Sequence, residues 1–234
     1  MKMSRKFLGT LFTCLSCLFS SICVGLYLRA EFSDGFFIKP FFRVLILVLA
    51  CVGVYLAAKI SGRILFPEKR KELLRVALFC SFAFYLILLV NFLFFESSFS
   101  RGYGLIFLQD SETVSYYLKN FMNIKPFSMI FRYLKGYMIG TVSLNSFLMN
   151  IFGNFILFMP FAFFLPMFYK KQNNFFVFFV TVASMSAMAE VLQVLFMMGT
   201  GDVDDLMMNT LGACILFGLL HTKIGKGLVR VIGD

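Results

Sequence analysis

Eight polar side chains that are able to bind a ligand interrupt the apolar C-terminal half of the chain. They are four carboxylates and four amides: Asn150, Asn154, Glu190, Gln193, Asp202, Asp204, Asp205 and Asn209. An all-oxygen ligand set suits Mg²⁺ or Ca²⁺ better than Zn²⁺. The same groups also suit a sugar, an amine or a peptide, and their spacing does not choose between these ligands. If a divalent cation is bound, the predicted metal ligands are Glu190, Asp204 and Asp205.

Each of these side chains also has a structural explanation. Asp202 or Asp204 can cap a helix, because a carboxylate accepts hydrogen bonds from the free N–H groups at a helix N-terminus. The asparagines can join neighbouring helices. A buried Glu190 without a facing Lys or Arg must instead be protonated, hydrogen-bonded or bound to a cation. With one histidine, His221, and no Gly-x-Ser-x-Gly motif, no catalytic residue is assigned, and a carboxylate base acting with a metal stays open.

The composition places these side chains in a membrane protein. Of the 234 residues, 60% are hydrophobic and 15% are charged, and the mean hydropathy is +0.86. Soluble proteins are about half apolar and about a quarter charged, so this chain has too little polar surface to be soluble. We interpret the net charge of +10 as basic residues that flank membrane spans, and we expect no nucleic-acid partner. The six cysteines lie in apolar runs, where thiols pack as small hydrophobic side chains.

Six apolar segments approach the length of about 20 residues that a helix needs to cross a bilayer. They cover residues 7–28, 40–58, 76–95, 149–169 and 175–198, and a shorter segment at 205–221. Most Lys and Arg residues fall on the cytoplasmic side if both termini are cytoplasmic. We therefore predict an all-α integral membrane protein with about six transmembrane helices and cytoplasmic N- and C-termini. Pro160 and Pro166 are expected to bend the fourth span.

The connection at 96–148 is then extracytoplasmic. It contains apolar residues at helical spacing, namely Phe127, Ile130, Phe131, Leu134 and Met138. This stripe indicates either a helix in the outer membrane interface or a non-spanning helix packed against the protein.

The last three predicted spans carry their polar residues in pairs three or four positions apart, which places each pair on one helix face. The pairs are Asn150 with Asn154, Glu190 with Gln193, and Asp205 with Asn209. The acidic turn that contains Asp202 and Asp204 leads directly into the last, short span. We therefore expect all eight polar residues to converge on one site in the outer leaflet.

Four elements of the chain resemble the VanZ-like membrane proteins. They are Asn123-Ile124-Lys125-Pro126-Phe127, the run from Asn150 to Phe161, Glu190-Val191-Leu192-Gln193, and the run from Asp202 to Gly212. The resemblance covers roughly residues 119–220. It divides the chain into N-terminal transmembrane helices and the start of the extracytoplasmic segment at 1–118, a VanZ-like core at 119–220, and a basic cytoplasmic tail at 221–234.

The resemblance implies a protein of the bacterial cytoplasmic membrane that contributes to low-level resistance to teicoplanin and related lipoglycopeptides. In that role the outer-leaflet residues would bind a polar ligand, a lipid or a cation, and the partners would be membrane lipids, a cell-wall precursor or the glycopeptide. The alternative is an integral membrane enzyme that modifies an envelope lipid or a wall precursor. A transporter is less favoured, because the inner halves of the spans lack polar residues. The oligomeric state stays open.

Overall fold

The computed structural model describes residues 2–32, 40–95, 105–223, 225 and 227, and this part of the chain is almost entirely helical. Its α-helices are α1 (Lys2–Phe32), α2 (Pro40–Ile64), α3 (Arg70–Val90), α4 (Ser111–Phe121), α5 (Ser128–Met138), α6 (Leu144–Leu157), α7 (Phe161–Phe168), α8 (Phe175–Leu195) and α9 (Val203–His221). A π-helical turn at Asn91–Phe95 extends α3. Two short strands, β1 (Met122–Asn123) and β2 (Gly201–Asp202), complete the described elements. The predicted all-α class is confirmed.

Within the described ranges, 6 helical segments are long and apolar enough to cross a membrane. They are Lys6–Tyr27, Val44–Ile64, Pro67–Phe94, Ser146–Phe168, Phe175–Leu195 and Val203–His221. This agrees with the six predicted spans. The cytoplasmic location of the termini stays a prediction.

The fourth span is broken, as its prolines predict. Helix α6 ends at Leu157, and α7 begins at Phe161, directly after Pro160. Pro160 has no N–H to continue the α6 hydrogen-bond ladder, so the chain turns there before it resumes as a helix. Pro166 lies inside α7.

The described residues divide into two compact units, one up to Leu88 and one from Leu89 onward. The division predicted at residue 119 stays a prediction. In the first unit, α1 packs against α2 through small residues: the Ser20 hydroxyl donates a hydrogen bond of 3.1 Å to the Ala50 carbonyl. A Cβ atom on Gly53 would lie 2.3 Å from that hydroxyl, so a larger residue there would displace the Ser20 side chain from this bond.

The second unit is built around α9, which packs against α6 and α8. Aromatic side chains fill its core, and the rings of Phe178 and Phe217 stack with centroids 4.5 Å apart. Phe158 and Phe161, at the break between α6 and α7, are also fully buried. The predicted polar residues lie in this unit, close to the turn between α8 and α9.

Helix α5 turns most of its apolar stripe away from the unit. Phe131 and Met138 are 66% and 76% exposed, whereas Met129 and Gly136 form the buried face. The exposed stripe favours a helix in contact with the membrane interface over one packed by that stripe against the protein. Its interfacial location stays a prediction.

Candidate functional site

A pair of two-residue strands brings a distant segment of the chain to the turn between α8 and α9. Strands β1 and β2 are parallel, with Asn123 opposite Asp202. The Asn123 side-chain amide donates a hydrogen bond of 2.8 Å to the Asp202 carboxylate. The Asn123 carbonyl oxygen accepts a hydrogen bond of 2.5 Å from the Ser128 hydroxyl, at the start of α5. Asn123 therefore joins the beginning of α5 to the beginning of α9.

The Asp204 carboxylate holds the N-terminus of α5. It is fully buried and accepts hydrogen bonds from the backbone N–H groups of Phe127, Met129 (2.8 Å) and Ile130 (3.3 Å). Phe127 has a left-handed backbone conformation with φ of 66°. Asp204 thus satisfies free N–H groups at the start of α5. Its position in the sequence suggests instead that it would cap α9.

Asp202 connects three elements. Its side chain caps α9 by accepting a hydrogen bond of 2.8 Å from the Asp204 N–H, and its own N–H donates one of 3.0 Å to the Glu190 carboxylate. Burial raises the pKa of the Asp202 carboxyl, and the nearby Asp204 charge adds to the rise. Hydrogen bonds from the Asp204 N–H and from Asn123, together with the charge of Arg132, oppose it.

Glu190 and Asp205 bring two more carboxylates to the same turn. Glu190, on α8, is 8% exposed. Asp205, on α9, accepts a hydrogen bond from the Asn154 side chain of α6. The Asp205 carboxylate is close enough to Glu190 and Asp202 for their charges to act on it. Helices α6, α8 and α9 thus each bring a polar side chain to this turn, namely the Asn154 amide and the Glu190 and Asp205 carboxylates. That these residues form one binding site stays a prediction.

One helical turn away, Asn209 of α9 meets Ser186 of α8. The Asn209 amide donates a hydrogen bond of 3.1 Å to the Ser186 hydroxyl, and Asn209 is only 1% exposed. Its carbonyl oxygen Oδ1 is buried and has no hydrogen-bond partner. We call Asn154, Glu190, Asp202, Asp205 and Asn209 the acidic cluster.

The other two predicted ligands make contacts outside this cluster. The Gln193 amide donates a hydrogen bond of 2.9 Å to the Leu93 carbonyl, which ties α8 to the π-helical turn. The Asn150 amide donates one of 2.8 Å to the Ser146 carbonyl of its own helix. Each bond has a structural effect, and the predicted ligand-binding role of Gln193 and Asn150 stays a prediction.

The predicted metal set is not assembled as three carboxylates. Among the described residues, no group of three or more His, Cys, Asp or Glu side chains is arranged to hold a metal ion. Asp204 explains the difference, because backbone N–H groups of α5 already surround its carboxylate.

Two further residues of this region, Tyr117 and Arg132, are not among the site residues predicted from the sequence. Tyr117, 1% exposed on α4, donates a hydrogen bond of 2.8 Å to the Gly199 carbonyl and so supports the turn before α9. Arg132 of α5 acts electrostatically on Asp202. The sequence signal for Arg132 is its position off the apolar stripe of α5, which marks it as facing a polar environment.

Asp202→Asn should flatten the pH dependence of stability. An Asp whose pKa is raised on folding contributes less stability as the pH rises through the folded-state pKa, and asparagine keeps the acceptor oxygen without this titration. We expect the melting temperature to fall less in the variant than in the wild type as the pH rises above about 3.9, the pKa of an unfolded Asp, measured by circular dichroism in detergent. The control is Asp110→Asn, since a lowered pKa puts the titration of Asp110 below that pH. Equal slopes for Asp202→Asn and wild type would contradict the expectation.

Comparison with known protein families places this region in a described family. The family model described as VanZ/LLP1 matches residues 82–224, more than half of the chain. This match includes the whole acidic cluster and begins farther toward the N-terminus than the resemblance at 119–220. No curated protein and no solved structure matches the chain.

Proposed function

Because the chain belongs to the VanZ-like family, we propose that it contributes to low-level resistance to teicoplanin and related lipoglycopeptides. In this proposal it is a multi-pass protein of the bacterial cytoplasmic membrane. The acidic cluster binds the polar part of an envelope lipid, a cell-wall precursor or the glycopeptide.

The observation that carries the proposal is the meeting of three carboxylates in a largely apolar unit. Glu190 comes from α8, Asp202 from the turn before α9, and Asp205 from α9. Glu190 and Asp202 are buried. Ionisable groups are costly within a membrane and usually mark a functional site. Asp204 has a structural explanation in its bonds to α5, whereas no comparable set of backbone donors surrounds Asp205 among the described contacts.

The proposed orientation places this cluster where such ligands occur. With cytoplasmic termini, the turn between α8 and α9 faces the extracytoplasmic side, on which wall precursors are displayed and glycopeptides arrive. The exposed apolar stripe of α5, whose start is bonded to Asp204, supports a position of this turn near the lipid headgroups.

The test is teicoplanin susceptibility in a sensitive Gram-positive host. We expect the wild type to raise the inhibitory concentration, and Glu190→Gln and Asp205→Asn to return it to the host value at equal membrane abundance. Removing one partner of a buried charged contact typically costs about 2 kcal/mol or more, which is more than tenfold in affinity.

The matched control is Glu112→Gln, which changes an exposed carboxylate on α4 of the same unit. It should retain protection. If the two cluster variants protect as well as the wild type, the cluster is not the functional site. Mass spectrometry of host lipids and muropeptides adds a second result, because an enzyme leaves a covalent product and a binding protein does not.

A further inference from the structure

We propose that the interface between α8 and α9 binds a small cation, held by the carboxylates of Glu190 and Asp205 and by the Asn209 carbonyl oxygen. The cation is a hard metal ion or a primary ammonium group. This inference rests on the proposed function and narrows the chemistry of the ligand that the acidic cluster accepts.

The register of the two helices places these three groups together. Helices α8 and α9 pack against each other and are joined by a short turn, so they run antiparallel. Ser186 and Asn209 are in direct contact at 3.1 Å. Glu190 lies four residues after Ser186, and Asp205 lies four residues before Asn209, so both carboxylates sit one helical turn nearer the connection. The Asn209 oxygen and the two carboxylates therefore line the same interface.

The free hydrogen-bonding capacity of the Asn209 oxygen and of the two carboxylates is for acceptance. The Asn209 amide nitrogen is engaged with Ser186, while its buried oxygen Oδ1 lacks a donor. A buried carbonyl oxygen without a partner is unfavourable and rare in folded proteins. Glu190 accepts from the Asp202 N–H, and Asp205 accepts from Asn154, and each carboxylate can accept further bonds. A cation or an ammonium group satisfies such a set, and an anion does not.

The charges also favour a cation. The charges of Glu190, Asp202 and Asp204 all act on Asp205, and all are negative. Arg132 brings one positive charge to Asp202, which leaves the carboxylates in excess. Buried like charges are stable only if some are protonated or a cation lies between them. Protonation of Glu190 or Asp205 supplies a single O–H donor, whereas a cation can contact the unpartnered Asn209 oxygen and both carboxylates at once.

Thermal unfolding of the purified full chain in detergent tests this proposal. A thiol-reactive fluorescent dye can follow unfolding, because the chain has six free cysteines, including the buried Cys23. Chloride salts of Mg²⁺, Ca²⁺, Na⁺ and methylammonium are compared at constant ionic strength with choline as the background cation. We expect at least one of them to raise the melting temperature by about 5 to 10 °C at a hundred times its dissociation constant. A response to methylammonium alone identifies an ammonium ligand, and a response to the metal ions identifies a metal site.

Charge-neutralising variants provide a signature that a purely structural role does not produce. Without the cation, Asp205→Asn and Glu190→Gln should melt at or above the wild-type temperature, because repulsion between buried carboxylates is reduced. Neither variant should respond to the cation, whereas Glu112→Gln should show the full shift. The proposal is overturned if no cation stabilises the wild type or if the variants keep the wild-type shift.

The two proposals fail in different ways. A cation shift that the variants abolish, combined with unchanged protection from teicoplanin, would contradict the proposed function and leave the cation site standing. Loss of protection in the variants without any cation shift in the wild type would overturn the cation site alone.

Discussion

Asp204→Asn should cause one of the largest losses of stability of any conservative substitution in this chain. The buried Asp204 carboxylate accepts hydrogen bonds from Phe127, Met129 and Ile130 at the start of α5. Asparagine puts an N–H₂ group where one of these acceptors was, so a donor faces a donor and buried N–H groups lose their partners. Hydrogen bonds to a charged group contribute about 1.5 to 3 kcal/mol each, and we expect a loss of about 3 kcal/mol or more. The measurement is the melting temperature in detergent, together with the yield of monodisperse protein.

Asp110→Asn is the matched control for this experiment. Asp110 also accepts a backbone hydrogen bond at a helix start, from Thr113 at 2.8 Å, but it lies at the exposed N-terminus of α4. Asparagine is about as good a cap as aspartate at such a position, so the change should be below about 1 kcal/mol. If both variants lose the same stability, the assignment of Asp204 as the residue that anchors α5 is wrong.

Much of the membrane architecture can be predicted from the sequence because it depends on local patterns. A span requires an unbroken apolar run, and the break at Pro160 follows from the missing N–H of a single residue. Convergence of Glu190 and Asp205 is also predictable, since both lie close to one short connection between two apolar helices.

The roles within the site depend on contacts between distant parts of the chain. The four-residue ladder of β1 and β2 brings Asn123 to Asp202, and no periodicity in the sequence predicts it. As a result, Asp204 and Asp205 look equivalent in the sequence, although one holds α5 and the other faces the α8–α9 interface. Neighbouring residues on a helix point about 100° apart, so adjacent carboxylates contact different partners.

Gly212→Ala should separate α9 from α6. A Cβ atom on Gly212 would lie 1.8 Å from the backbone carbonyl oxygen of Phe155, and a backbone atom cannot move aside as a flexible side chain can. The two helices must therefore shift apart, which also disturbs the bond between Asn154 and Asp205 about two turns away along α9. Overpacking of this kind costs about 1 to 3 kcal/mol of stability. We expect the cost of Gly212→Ala to lie at or above the upper end of this range, because the clash is with a backbone atom.

A second glycine of α9 makes this prediction specific. A Cβ atom on Gly218 has no neighbour within 4 Å, so Gly218→Ala adds the same methyl group to the same helix without a clash. Alanine is a better helix former than glycine by about 1 kcal/mol, and this variant should melt at or slightly above the wild-type temperature. Gly212→Ala should melt about 10 °C lower in detergent, since about 3 kcal/mol shifts a chain of this size by several degrees per kcal/mol. Equal melting temperatures for the two variants would mean that α6 and α9 do not approach each other closely at Gly212. Because the Asn154–Asp205 bond spans the same pair of helices, Gly212→Ala should also weaken the cation response of the acidic cluster, although residue 212 carries no polar group.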